Sequence, residues 1–126
     1  MNEFFKTKPF NRWAEKENLT DQELYLAMKE VESGLVEASL GSYLFKKRVA
    51  KFGQGKRGSY RSILAFKRDQ RFFFIFGFDK GTRDNISDKE KEALKKLSKE
   101  LMGYSEIELE QAVVRSSLIK VECGNE

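Results

Sequence analysis

YRSILAFKRDQRFFFIFGF, Tyr60 to Phe78, is the stretch that decides how the rest of this 126-residue chain must be arranged. Two runs dense in aromatic and branched residues, Tyr60 to Lys67 and Arg71 to Phe78, read as strands. Only Arg68-Asp69-Gln70 separates them, short enough for a hairpin. In the second run Phe72, Phe74, Phe76 and Phe78 alternate onto one face and Phe73 and Ile75 onto the other. An apolar run on both faces marks a central strand, so the phenylalanines belong to core packing rather than to a base-stacking surface. Upstream, Tyr43 to Lys51 reads as a third, extended strand.

Helical periodicity flanks this sheet. Phe10, Trp13 and Ala14 follow Pro9 at helical spacing, which predicts a short amphipathic helix ending near Asn18. Thr20-Asp21-Gln22-Glu23 is a capping box, with Leu24, Ala27, Met28 and Val31 on one face beyond it and Gly34 at the stop. A second box, Ser87-Asp88-Lys89-Glu90, opens a helix carrying Ala93, Leu94, Leu97 and Leu101 up to Gly103, and Ser105 to Glu108 opens another with Leu109, Ala112 and Val113 inward. The expected fold is therefore α+β: two N-terminal helices, a twisted three- to four-stranded antiparallel sheet, then one or two C-terminal helices. Length implies a single domain over residues 1–126, with 104–126 as a C-terminal extension.

No apolar run approaches the ~20 residues that cross a bilayer. MNEFFKTKPF has no apolar signal core, so a cytoplasmic protein without a membrane partner is expected. The lone Cys123 cannot close an internal disulfide, and with no histidine present there is no zinc or iron–sulfur ligand set. Neither a metal nor any other cofactor is expected.

The formal charge of +4 is unevenly spread. Between Tyr43 and Arg83 twelve Lys and Arg stand against Asp69 and Asp79, a local net of +10 that leaves −6 for the remainder. Such segregation suits a polyanion, because lysines and arginines neutralise the phosphates that dominate nucleic-acid affinity. Alternation along the third strand sets Lys46 and Arg48 on one face and Phe45, Lys47 and Val49 on the other. The glycine-rich Phe52 to Gly58 carries Lys56 and Arg57, Arg61 begins the next strand, and Asp79 to Arg83 brings Lys80 and Arg83 toward the same sheet.

These residues resemble RelE-type toxins of bacterial toxin–antitoxin systems, in the HigB-like branch. The resemblance rests on Lys46 to Ala50, Gly53 to Gly58, Tyr60-Arg61, Phe74 to Phe78 and Lys80 to Ile86, with Phe10 to Ala14 and Glu32 to Ala38 also fitting. It is the order and spacing of these short motifs that is specific. The resemblance implies a small α+β fold with helices on one side of a twisted antiparallel sheet and catalytic groups on the other. It implies a ribosome-dependent mRNA endonuclease (mRNA interferase) that cuts message in the A site, inhibits translation and is silenced by a cognate antitoxin, expected from the branch to be a helix-turn-helix protein.

The implied reaction is attack of a ribose 2′-hydroxyl on the adjacent phosphorus, leaving 2′,3′-cyclic phosphate and 5′-hydroxyl ends without a metal. It needs a base, positive charge for the transition state and an acid for the leaving oxygen. Carried over by position, the catalytic candidates are Lys46, Arg48, Arg61, Lys80 and Arg83: Arg61 for transition-state charge, Lys46 for proton transfer or phosphate contact, the others to orient the phosphate. Lys56, Arg57 and Tyr60 are the RNA-binding candidates. Some RelE-type toxins use a tyrosine near the chain end; Ser87 to Met102 has none, which leaves Tyr60 or Tyr104 as substitutes. The alternatives are a ParE-like gyrase-inhibiting toxin without nuclease activity, and a non-catalytic RNA-binding module.

Overall fold

The chain opens with a strand and not with a helix. The computed structural model describes residues 3–50, 60–68 and 70–121. In order they form β1 (Glu3–Thr7), α1 (Lys8–Lys16), α2 (Asp21–Glu32), β2 (Ala38–Gly41), β3 (Leu44–Val49), β4 (Tyr60–Lys67), β5 (Arg71–Asp79), α3 (Asp88–Met102), α4 (Glu106–Val114) and β6 (Leu118–Lys120). One six-stranded sheet has the order β2-β3-β4-β5-β1-β6.

This corrects the expected architecture of two leading helices and a three- to four-stranded antiparallel sheet. The sheet is mixed, because β1 runs parallel to β5, pairing Phe4 with Phe72 and Lys6 with Phe74, while its other edge pairs antiparallel with β6. A parallel pairing between segments so far apart leaves no turn signal in the sequence. β1 also contains a lysine at a buried position, tolerated because Lys6 Nζ meets Asp21 of α2 at 2.6 Å. β2 and β6 are only four and three residues long, too short for a periodic pattern to register.

The two capping boxes read from the sequence form, and Ser105 makes a third. Thr20, Ser87 and Ser105 each accept from the backbone N–H three residues on, and Glu23, Glu90 and Glu108 reach back to the cap N–H. Thr7 caps α1 from the end of β1, its hydroxyl accepting from Phe10 N at 3.3 Å. Gly34 follows α2 at φ +94°, a left-handed conformation that terminates the helix.

Helices cover both faces, not one. Phe10 and Ala14 of α1 and Leu24, Ala27, Met28 and Val31 of α2 pack with Phe4, Val49, Leu64, Phe66, Phe72 and Phe74. Leu94 and Leu101 of α3 and Leu109 and Ala112 of α4 pack on the opposite face with Phe5, Leu44, Ile63, Phe73, Ile75 and Phe78. Burying each of these phenylalanines contributes ~1.5–3 kcal/mol. The expected single row of Phe72, Phe74, Phe76 and Phe78 breaks at a register shift between Ile63 and Leu64, opposite Phe76 and Phe74. Beyond the bulge Phe76 and Phe78 turn to the α3/α4 face. At Gly77 a Cβ would lie 2.2 Å from the Trp13 ring, so only glycine lets α1 approach the strand this closely.

Residues 106–120 cover part of the core as α4 and β6. Arg71 of β5, itself buried, ties this region down by donating to the carbonyls of Leu101 and Tyr104, at 3.3 and 2.6 Å, and to Glu106 at 3.2 Å. Glu106, one of the acidic residues of α4, is therefore the partner of a core arginine.

Candidate active site

The antiparallel register of β3 and β4 places Arg48 directly opposite Arg61 and Lys46 opposite Ile63, while β5 sets Phe78 beside Arg61 and Phe76 beside Ile63. On the α3/α4 face this makes two adjoining rows, Arg48–Arg61–Phe78 and Lys46–Ile63–Phe76. Lys47, between the two outward cations, points the other way and is buried with its ammonium 2.6 Å from Glu30 of α2. The alternation read from the sequence thus divides three consecutive cations between two faces.

The chain after β5 folds back over these rows. Asp79 organises the turn: its carboxylate accepts from Gly81 N at 2.8 Å, and its carbonyl accepts from Thr82 N, at 2.9 Å, and Arg83 N, at 3.1 Å. Arg83 is thereby returned over Phe76 and Phe78, its guanidinium carbon 5.7 and 5.6 Å from the two ring centres. Its Nε donates to Asn85 O at 3.3 Å, and its guanidinium donates to Glu90. That bond, with help from Ser87 N–H, holds the Glu90 carboxyl below its ordinary range. Asn85 Oδ1 in turn accepts from Lys46 Nζ at 3.3 Å and from Ile86 N at 2.9 Å.

Lys46, Arg48, Arg61 and Arg83 are brought to one face. Lys80 is exposed on the turn, and among the described residues no hydrogen bond or ion pair joins it to the other four. Tyr60 stands on the opposite face, edge-on to Trp13 of α1 with ring centres 5.8 Å apart. Burial, and then a hydrogen bond to Glu17, push its hydroxyl above the usual value. Tyr104 lies at the α3–α4 junction, where its carbonyl receives Arg71. Lys56 and Arg57 lie outside the described residues.

The excess of cations between Tyr43 and Arg83 is smaller in space than in sequence. Lys47 is paired with Glu30, Arg61 with Glu37, Arg71 with Glu106 and Arg83 with Glu90. Lys46, Arg48 and Lys80 make no ion pair among the described residues. No group of three His, Cys, Asp or Glu is placed to hold a metal among those residues, and none of their helices is long and apolar enough to cross a membrane.

Three residues of the site had no role assigned from sequence. Glu90 is visible as a capping-box glutamate, but its grip on Arg83 depends on the turn after β5. Asn85 and Glu37 lie inside the short motifs already noted, and nothing in their spacing tells that one holds Lys46 and the other Arg61. Chemically, the face offers a lysine ammonium and two guanidinium groups within neighbouring rows, backed by an arginine already fixed on two rings. Such a set of cations can neutralise the charge of a phosphate ester. A family model described as the RelE toxin of the RelE/RelB toxin–antitoxin system matches residues 2–121. No curated protein matches the chain.

Proposed function

The chain belongs to the RelE toxin family, and from that premise we propose that it is the toxin of a type II toxin–antitoxin system acting as a ribosome-dependent mRNA endonuclease of the HigB-like branch. The observation that carries this reading is the Arg48–Arg61 register pair with Lys46 on the same face. A 2′-hydroxyl placed against this face attacks the adjacent phosphorus. Arg61 and Arg48 stabilise the equatorial oxygens as charge develops, and Lys46 is assigned to proton transfer: one proton leaves the 2′-oxygen as its bond to phosphorus forms, and one is delivered to the departing 5′-oxygen. The P–O5′ bond breaks, leaving 2′,3′-cyclic phosphate and a 5′-hydroxyl. Arg83, held by Glu90 and Asn85, orients the phosphate, and Lys80 and the Lys56/Arg57 segment add contacts to RNA. No step calls for a metal: metal analysis of the purified protein should find none at stoichiometric level, and a tightly bound ion lost together with activity overturns that part.

The target sets the location, since ribosomes translating message are cytoplasmic. Inhibition belongs to a cognate antitoxin of helix-turn-helix type. We favour a steric mode, because covering Lys46, Arg48 and Arg61 directly requires an equally dense acidic partner. With Lys46→Glu and Arg61→Glu, a steric antitoxin keeps its affinity within about tenfold, ~1.4 kcal/mol. Loss of several orders of magnitude in both variants puts the antitoxin in the active site. The deciding experiment for the function is incubation of the purified protein with translating ribosomes and mapping of 5′ ends. Codon-phased cuts are expected. Intact message with salt-sensitive RNA binding gives a non-catalytic module, and topoisomerase lesions in cells give a ParE-like toxin.

A further inference from the structure

Arg61 is strongly enclosed, with its side chain only 11% exposed. An arginine this enclosed needs a counter-charge, and the chain supplies one from outside the strand. Glu37 Oε1 lies 2.7 Å from Arg61 Nε, with the carboxylate side chain 34% exposed. The N–H of Nε is not aligned on that oxygen, so the contact is an ion pair held by charge rather than a directed hydrogen bond. Glu37 just precedes the edge strand β2, and its backbone N–H donates to Lys46 O at 2.8 Å. The carboxylate is therefore fastened to the strand that carries Lys46 and Arg48. A second hold on the arginine, Nη1 to Tyr60 O at 3.4 Å, comes from its own strand.

We propose that Glu37 is a positioning residue that acts as a stand-in anion. In the absence of RNA its carboxylate holds the Arg61 guanidinium in place over the face. When the scissile phosphodiester arrives, that anion shares or takes over the arginine. The proposal rests on the nuclease reading of this face. It has a signature in which two quantities move oppositely: without the Glu37 charge no carboxylate competes there with phosphate for the arginine, so RNA binds more tightly, yet the guanidinium is less firmly preset, so the bound complex cuts more slowly.

The test compares wild type with Glu37→Gln and Glu37→Asp. Affinity is read with a short single-stranded RNA made uncleavable by 2′-deoxy substitution, and rate is read as single-turnover cleavage on programmed ribosomes. Glu37→Gln should bind the RNA about three- to tenfold more tightly and cut about tenfold more slowly at saturation. Glu37→Asp, which keeps the charge, should return affinity to within about twofold of wild type. A Glu37→Gln protein that binds no tighter, or cuts as fast as wild type per folded molecule, overturns the proposal and leaves Glu37 a structural counter-ion. A Glu37→Asp protein as impaired as Glu37→Gln also overturns it, because charge then does not suffice. If wild type itself leaves message intact, the nuclease reading falls and the positioning role in cleavage falls with it, while the affinity arm still reports whether Glu37 competes with phosphate.

Discussion

Lys46, Lys47 and Arg48 are adjacent in sequence and live in two different environments. Lys47 faces α2, is buried, and pairs its charge with Glu30. Lys46 and Arg48 face the side where α3 and α4 leave β3 and β4 partly uncovered, and neither has a carboxylate partner among the described residues. The same side-chain chemistry serves as a structural pin on one face and, in the proposed function, as a polyanion site on the other. What separates the two roles is the helix packed above, not the residue type. A basic run in a sequence therefore cannot be converted to a surface charge until each residue is assigned a face.

The strongest way to break this contrast is through the uncovered face. Arg61→Ala and Lys46→Ala should each lower ribosomal cleavage by about 100-fold or more and abolish growth arrest on expression, with melting temperatures close to wild type. If both folded variants remained fully toxic, the face would be misassigned. On the covered side, Gly77→Val should destabilise by ~3 kcal/mol, because its side chain enters the space of the Trp13 ring; chemical denaturation measures it, and loss of less than ~0.5 kcal/mol would mean that α1 yields without cost. Lys47→Met should cost ~1 kcal/mol at most, since Glu30 is already half in water, while leaving cleavage per folded molecule unchanged. A Lys47→Met protein that is stable but inactive would erase the distinction between the faces.

The smallest effect is one of pH. Arg83 lowers the Glu90 carboxyl below its unfolded value of 4.5, so the folded state binds that proton less readily than the unfolded state. The resulting stability is present above the unfolded value and is lost as pH falls through the lowered one. The melting difference between wild type and Glu90→Gln should therefore shrink on acidification through the region below about pH 4.5. A difference that persists unchanged at lower pH would show that the Glu90 charge is not what holds Arg83.

Much of the fold was legible because its signals are local. Thr20, Ser87 and Ser105 with their partner glutamates announce three helix starts, and Tyr60 to Lys67 and Arg71 to Phe78 announce the central hairpin. What was not legible depends on partners distant in sequence. β1 becomes a strand only because β5 and β6 present open edges on either side of it, and Phe4 and Phe5 taken alone are two apolar residues before a proline helix start. In the site, alternation was enough to put Lys46 and Arg48 on one face, and the same alternation put Tyr60 on the other, away from them. The acids that hold the cations could not be read, because Glu37 and Glu90 reach them across the sheet edge and the turn after β5. Even the phenylalanine row failed at one local event, the bulge opposite Ile63 and Leu64, which transferred Phe76 and Phe78 to the α3/α4 face and gave Arg83 the rings it rests on.

The placement of β1 has a consequence for how the molecule comes into being. Synthesis is vectorial, and the first strand to emerge is one that sits between two of the last, β5 and β6. Until β5 has been made, Phe4 and Phe5 have no sheet to enter, and the backbone of β1 has no strand to pair with on either edge. A nascent chain can form the local helices α1 and α2 and the hairpins of β2 to β5, but closure of the core waits for residues more than sixty positions downstream of the strand that seals it. Folding is thereby made late and collective, so that a chain stalled or cut short before β5 is left without a core and its basic strands without a scaffold.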